Sequence, residues 1–223
     1  MRLRLLLPIL LLVVSRPVLA QGRFLSARLW CELEPLIQSE GQEYPLPREE
    51  ARRRLLEEAR GVFSAMIYGY RFRYTPGDET RGVAEEFVLL PVAEISWGDP
   101  HLRIVDAWTE GSRLYAKLEY ELQPFQEDRR RAWGSTAVPT ATGLGESSMF
   151  PGPAPQSKAR SLQAAFREAI RNHLRPIRFN KPREVTGEIL LWTPPAVVIE
   201  AGAYQTRIDV KLRVLEIRDY GIF

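Results

Sequence analysis

Apolar residues change their spacing several times along this chain, and each change marks an element. Leu5 to Val14 is a continuous apolar run broken only by Pro8. From Pro47 the spacing becomes helical. Ala51, Leu55, Ala59, Val62, Phe63 and Met66 share one face, while Arg52, Arg53, Arg54, Glu57, Glu58 and Arg60 take the other. Pro47 suits the entrance of such a helix, Glu49 and Glu50 suit its positive end, and Gly69 is placed as a C-cap. A second helix is expected from about Lys158 to Leu174, with Ser157 as cap and Ala159, Leu162, Phe166, Ala169, Ile170 and His173 near one face.

Elsewhere the spacing is two. Tyr70, Phe72 and Tyr74 alternate with Arg71 and Arg73, and Thr75-Pro76-Gly77-Asp78 closes that strand as a turn. Extended segments follow over Val83–Ile95, Leu102–Trp108 and Ser112–Gln123. In the last of these, Leu114, Ala116, Leu118, Tyr120 and Leu122 oppose Tyr115, Lys117, Glu119 and Glu121, the pattern of a half-buried antiparallel strand. Further strands are expected at Ile177–Phe179, Val185–Trp192, Ala196–Glu200 and Thr206–Ile217. Residues 21–47 show no clean period. The class is therefore α+β, two amphipathic helices packed on antiparallel sheet. Tyr70-Arg71-Phe72 follows the first helix and Ile177-Arg178-Phe179 the second, which reads either as a diverged internal duplication or as coincidence.

Four segments result: 1–20, an N-terminal half over 21–123, a stretch over 124–157, and a C-terminal half over 158–223. Gly, Ser, Thr, Ala and Pro crowd the third, and it is expected to be a long loop.

The first segment has the order of a Sec-type signal peptide. Arg2 and Arg4 precede the apolar run, Pro17 breaks it, and Val18-Leu19-Ala20 offers a cleavage site; the run is too short for a membrane span. The alternative is an uncleaved N-terminal anchor. A lipid-modified Cys31 does not fit, because Leu29-Trp30 precedes it where a small residue is needed. Cleavage also changes the charge. The chain carries +3, but without Arg2, Arg4 and Arg16 its 31 basic residues become 28, against 28 acidic ones. A global field for nucleic acid is absent from the mature chain, and so is a second long apolar stretch for a transmembrane helix. Cys31 is the one cysteine, so an intramolecular disulfide is impossible; a disulfide-free exported chain points to a bacterial periplasm.

Candidate chemistry is sparse. His101 and His173 are the only histidines, and Asp99, His101 and Asp106 lack the spacing of a metal site. No pattern calls for a cofactor. Thr142-Gly143-Leu144-Gly145-Glu146-Ser147-Ser148 is neither a nucleophile elbow nor a phosphate loop, and reads as flexible loop. Arg52-Arg53-Arg54 and Arg129-Arg130-Arg131 read as solvated faces or as contacts for anionic head groups or wall polymers. Tyr70, Phe72 and Tyr74 are the candidate binding residues, as an aromatic ledge; filling the core between helix and sheet is the competing role.

These observations set an expectation of an exported, periplasmic or secreted, non-enzymatic binding or assembly protein of the cell envelope, with an envelope protein or polymer as partner. An envelope hydrolase with its site in 124–157 is an alternative. A small outer-membrane β-barrel is another, disfavoured because Glu216, Arg218 and Tyr220 break the final alternation.

Overall fold

A computed structural model describes residues 23–150, 154–178 and 180–221. The expected leader lies outside these residues, as do Phe179 and Phe223.

The chain runs β1 (Phe24–Glu32), α1 (Arg48–Ile67), β2 (Tyr70–Thr75), β3 (Glu86–Pro91), β4 (Leu102–Glu110), β5 (Arg113–Glu121), α2 (Pro124–Trp133), β6 (Thr140–Ser148), α3 (Ala154–Leu174), β7 (Glu184–Leu191), β8 (Ala196–Glu200) and β9 (Ala203–Arg218). The class is α+β, richer in sheet than two helices on one sheet. A three-stranded sheet has the order β1-β5-β4, and a larger one β3-β2-β7-β9-β6. Every pairing is antiparallel. Pro194-Pro195 interrupts pairing between β7 and β8, so β8 continues β7's line along β9. Ala201 and Gly202, both at positive φ, then turn the chain back into β9. Because β2 pairs with β7, the N- and C-terminal halves share the larger sheet. One apolar core joins both sheets to α1 and α3.

The expected face of α1 is the buried one, with Ala51, Leu55 and Phe63 fully enclosed. Gly69 follows it at φ +71°, where an added Cβ would stand 2.4 Å from Ile189 O, so positive φ and close approach both demand glycine. In β1, Leu25, Ala27 and Leu29 point inward as a normal alternation. Phe24 and Trp30 on the opposite face hide it from a reading by hydropathy.

Two expectations about residues 124–157 need correction. The 124–157 stretch is not a loop, since it contains α2 and β6. α2 lacks an apolar stripe because polar contacts anchor it. Buried Gln126 donates to the hydroxyls of Tyr68 (2.8 Å) and Tyr120 (3.1 Å), and its side-chain oxygen accepts from Gln123 N (2.8 Å). The Arg triplet is not a solvated face either. Arg129 donates to Ile67 O (3.1 Å) and Tyr68 O (2.8 Å), and Arg130 to Met66 O, so two of the three satisfy the carboxyl end of α1. That end has no basic residue of its own. Arg130 is half-buried and pairs with no carboxylate among the described residues, and desolvation lowers its pKa to about 10. In β6 the usual pattern is inverted. Gly143 and Gly145 face α3, and Leu144 faces out, 58% exposed.

The strands form two open sheets rather than a barrel. The alternation lost after Val214 is displaced by a bulge. Thr186 pairs Glu216 and Gly187 pairs Val214, so Leu215 is the extra, exposed residue and Ile217 returns to the core. The sequence likeness between the two halves does not extend to structure. Tyr70-Arg71-Phe72 lies in β2, whereas Ile177 is in a turn and Arg178 in no element.

Candidate functional site

Tyr70, Phe72 and Tyr74 point to one side of β2 but do not form an exposed ledge. Phe72 is 3% exposed; its ring lies over Gly187, its cross-strand partner, where a Cβ would come within 2.6 Å of the ring. Tyr74 is 4% exposed, and its hydroxyl donates to Glu85 Oε1 (2.8 Å) and accepts from Arg171 Nε (3.0 Å). Side chains of α3 reach across to β2: Phe166 meets Tyr70 edge-on (5.3 Å between ring centroids), and Arg171 holds the Tyr74 hydroxyl. Tyr70 alone of the three opens onto a cleft of about 320 Å³.

That cleft lies between α1 and α3, and the end of β1 closes it. Gly61 and Val62 of α1, Ala159 and Leu162 of α3, Trp30, and Val197 of β8 supply its apolar wall. Sequence reasoning placed Val62 and Leu162 on their helices but missed Trp30. Its partners Val197 and Tyr204 lie more than 160 residues away, and no local pattern signals them.

Trp30 is fixed on several sides. Its indole N–H donates to Val197 O (3.3 Å), and Tyr204 stacks on it at 6.3 Å between ring centroids. Arg113 and Lys158 lie 4.3 and 4.4 Å from the ring centroid, within cation–π range. Lys158 is nearly buried; its Nζ donates to Trp30 O (2.8 Å) and to the Glu58 carboxylate (2.8 Å), tying α3 to β1 and α1. The Tyr204 hydroxyl donates to Glu32, and burial, with that bond, raises its pKa. Cys31 is a free thiol at the wall. It donates to Ala51 O (3.7 Å), and burial pushes its pKa up to about 11, so it stands as neutral thiol at physiological pH. The polar groups of the wall are thus largely bonded to one another.

The other candidates stand apart from this cleft. His101 N donates to Asp99 Oδ1 (2.9 Å), its ring meets the Gln123 amide (3.0 Å), and Asp106 pairs across to Lys117. Among the described residues, no three His, Cys, Asp or Glu side chains gather where they could hold one metal ion. Ser147 Oγ donates to its neighbour's carbonyl (3.4 Å) and Ser148 Oγ accepts from Phe150 N (3.0 Å), so neither hydroxyl is bonded to a base.

Fold and site define an α+β protein with a half-open, largely apolar cleft between its two long helices. Residues 14–220 match a family model, and the chain belongs to that family. Over 203 residues it is 24% identical to an uncharacterized protein of Treponema pallidum (strain Nichols), a match covering 89% of this chain and 83% of the relative. No solved structure matches it.

Proposed function

We propose that this chain is an exported, periplasmic, non-enzymatic binding protein of the cell envelope, and that the cleft between α1 and α3 is its ligand site. The observation that carries the reading is the cleft's chemistry. It has the size of a small ligand pocket, and the ionisable groups of its inner wall are spent on internal bonds. Lys158 is held by Glu58, and Cys31 is held as neutral thiol. A site of this kind sequesters a ligand by excluding water and offers it no activated nucleophile. Export rests on the leader pattern of residues 1–20. No helix among the described residues is long and apolar enough to cross a membrane. The relative in Treponema pallidum places a similar chain in a bacterium.

Two measurements test the proposal. Cells producing the full chain are fractionated by osmotic shock, and the intact mass of the protein is taken. A mature chain beginning at Gln21 in the periplasmic fraction is expected; an unprocessed cytoplasmic chain overturns export. The same protein, examined by native mass spectrometry, is expected to carry a small molecule that Val62→Trp expels. Retention of that molecule by the variant overturns the assignment of the cleft.

A further inference from the structure

Gly61 sits in the interior of α1, where glycine is less favourable than alanine. Glycines at such positions are usually explained by positive φ or by a close neighbour. Neither applies here. Gly61 has ordinary helical φ, and an added Cβ would meet nothing within 4 Å. The contrast with Gly143 and Gly145 is direct, since both are jammed against backbone atoms of α3. Gly61 is itself exposed, so the space beside it is the open mouth of the cleft, of which it forms part of the wall.

Polar groups around this space narrow what can occupy it. The Trp30 indole N–H is bonded to Val197 O, Lys158 to Trp30 O and Glu58, and Cys31 to Ala51 O. The Thr206 hydroxyl is bonded to Ser161 (2.6 Å), and the Tyr44 hydroxyl accepts from Ser39 N (3.1 Å). A polar ligand atom entering past Val62 and Leu162 would lose water and find few partners, which disfavours it. There are exceptions: the Tyr70 hydroxyl has no hydrogen-bond partner among the described residues, and Glu57, at the exposed rim, pairs only loosely with Arg53 (3.9 Å).

Resting on the reading of the cleft as a ligand site, we infer that the buried part of the ligand is a hydrocarbon chain, as in a fatty acid or the acyl chain of a lipid, and that Gly61 is kept without a side chain to admit it. The chain lies along Gly61, Val62 and Leu162 against Trp30. Tyr70 and the rim at Glu57 mark where a polar atom of the ligand is tolerated.

The test uses the mature protein stripped of bound molecules, with 11-(dansylamino)undecanoic acid as fluorescent probe. Saturable binding at one site is expected, with displacement by dodecanoic acid and none by hexanoic acid at equal concentration. Displacement by free dodecanoate assigns a free acid as occupant. Displacement only by phospholipid vesicles assigns an acyl chain drawn from a bilayer. Gly61→Leu is expected to weaken probe binding at least tenfold, and Gly61→Ala to melt at a higher temperature than wild type while binding less tightly. Unchanged probe affinity in Gly61→Leu overturns the inference. Native mass spectra of unstripped protein separate the two levels. A co-purifying molecule that lacks an alkyl chain and is expelled by Val62→Trp overturns the hydrocarbon inference and leaves the ligand site standing. Absence of both a co-purifying molecule and probe binding overturns both.

Discussion

Gly145 lies beneath Ser161 so closely that a Cβ on the glycine would stand 2.1 Å from the serine's carbonyl oxygen. Strand β6 and helix α3 therefore meet backbone to backbone, with Ser161 and Ala165 on the helix and Gly143 and Gly145 on the strand. The same helix supplies Ala159, Leu162 and Lys158 to the cleft, so this seam sets the cleft's width.

Gly145→Ala is expected to destabilise the protein by about 3 kcal/mol or more, because backbone on both sides must move to admit one methyl group. Leu144→Ala, one residue away and facing solvent, is expected to stay within about 0.5 kcal/mol of wild type. Urea unfolding followed by tryptophan fluorescence measures both.

This seam also shows why part of the fold was illegible in the sequence. Periodicity works where apolar side chains fill the interior, as on α1 and β5. It fails on β6, where the interior has no room for side chains and the leucine points outward. It fails again on α2, which Gln126 and two arginines hold in place. The bulge at Leu215 shifted β9 by one residue and made an intact strand look broken. At the cleft, Tyr70 was visible as an aromatic on a strand. Trp30 was not, because its surroundings come from the far end of the chain.

Arg130 closes the end of α1 through Met66 O and reaches Trp192 O (3.4 Å). Arg130→Met is expected to cost about 1–3 kcal/mol, since the loss of bonds to the helix carbonyls outweighs the relief of removing a partly buried charge. Arg131, on the surface beside Asp128, is expected to be replaceable by alanine within about 0.5 kcal/mol. Thermal unfolding of the two variants, run side by side, gives the comparison.

Two carboxyls, beside the lesser lowering at Glu85 and Glu119, contribute most to the acid limb of stability. Hydrogen bonds from Arg53, then Arg54, hold Glu50 at about 2, and those from Thr80, then Arg81, hold Asp78 at about 2. A folded-state pKa below the unfolded one adds stability that is fully present above about pH 4.5 and is lost as pH falls towards 2. Unfolding midpoints measured from pH 6 to pH 2 are expected to drop through that window. Asp78→Asn is expected to flatten the drop; an unchanged acid limb in that variant would refute the assignment.

Cys31, with its thiol raised to about 11, is expected to react slowly with Ellman's reagent at pH 8, where about one thiol in a thousand is ionised. Its rate is expected to climb steeply between pH 9 and 11, and to fall at every pH when the cleft is filled. Rapid reaction at pH 8 would contradict the burial described.

The most direct measurement is a crystal structure of the protein purified from its native envelope without detergent. The account predicts continuous density for a bound molecule beside Gly61, between Trp30 and Tyr70, with Lys158 still held by Glu58. A cleft closed by inward movement of Leu162 or Trp30, with no room left beside Gly61, would contradict it.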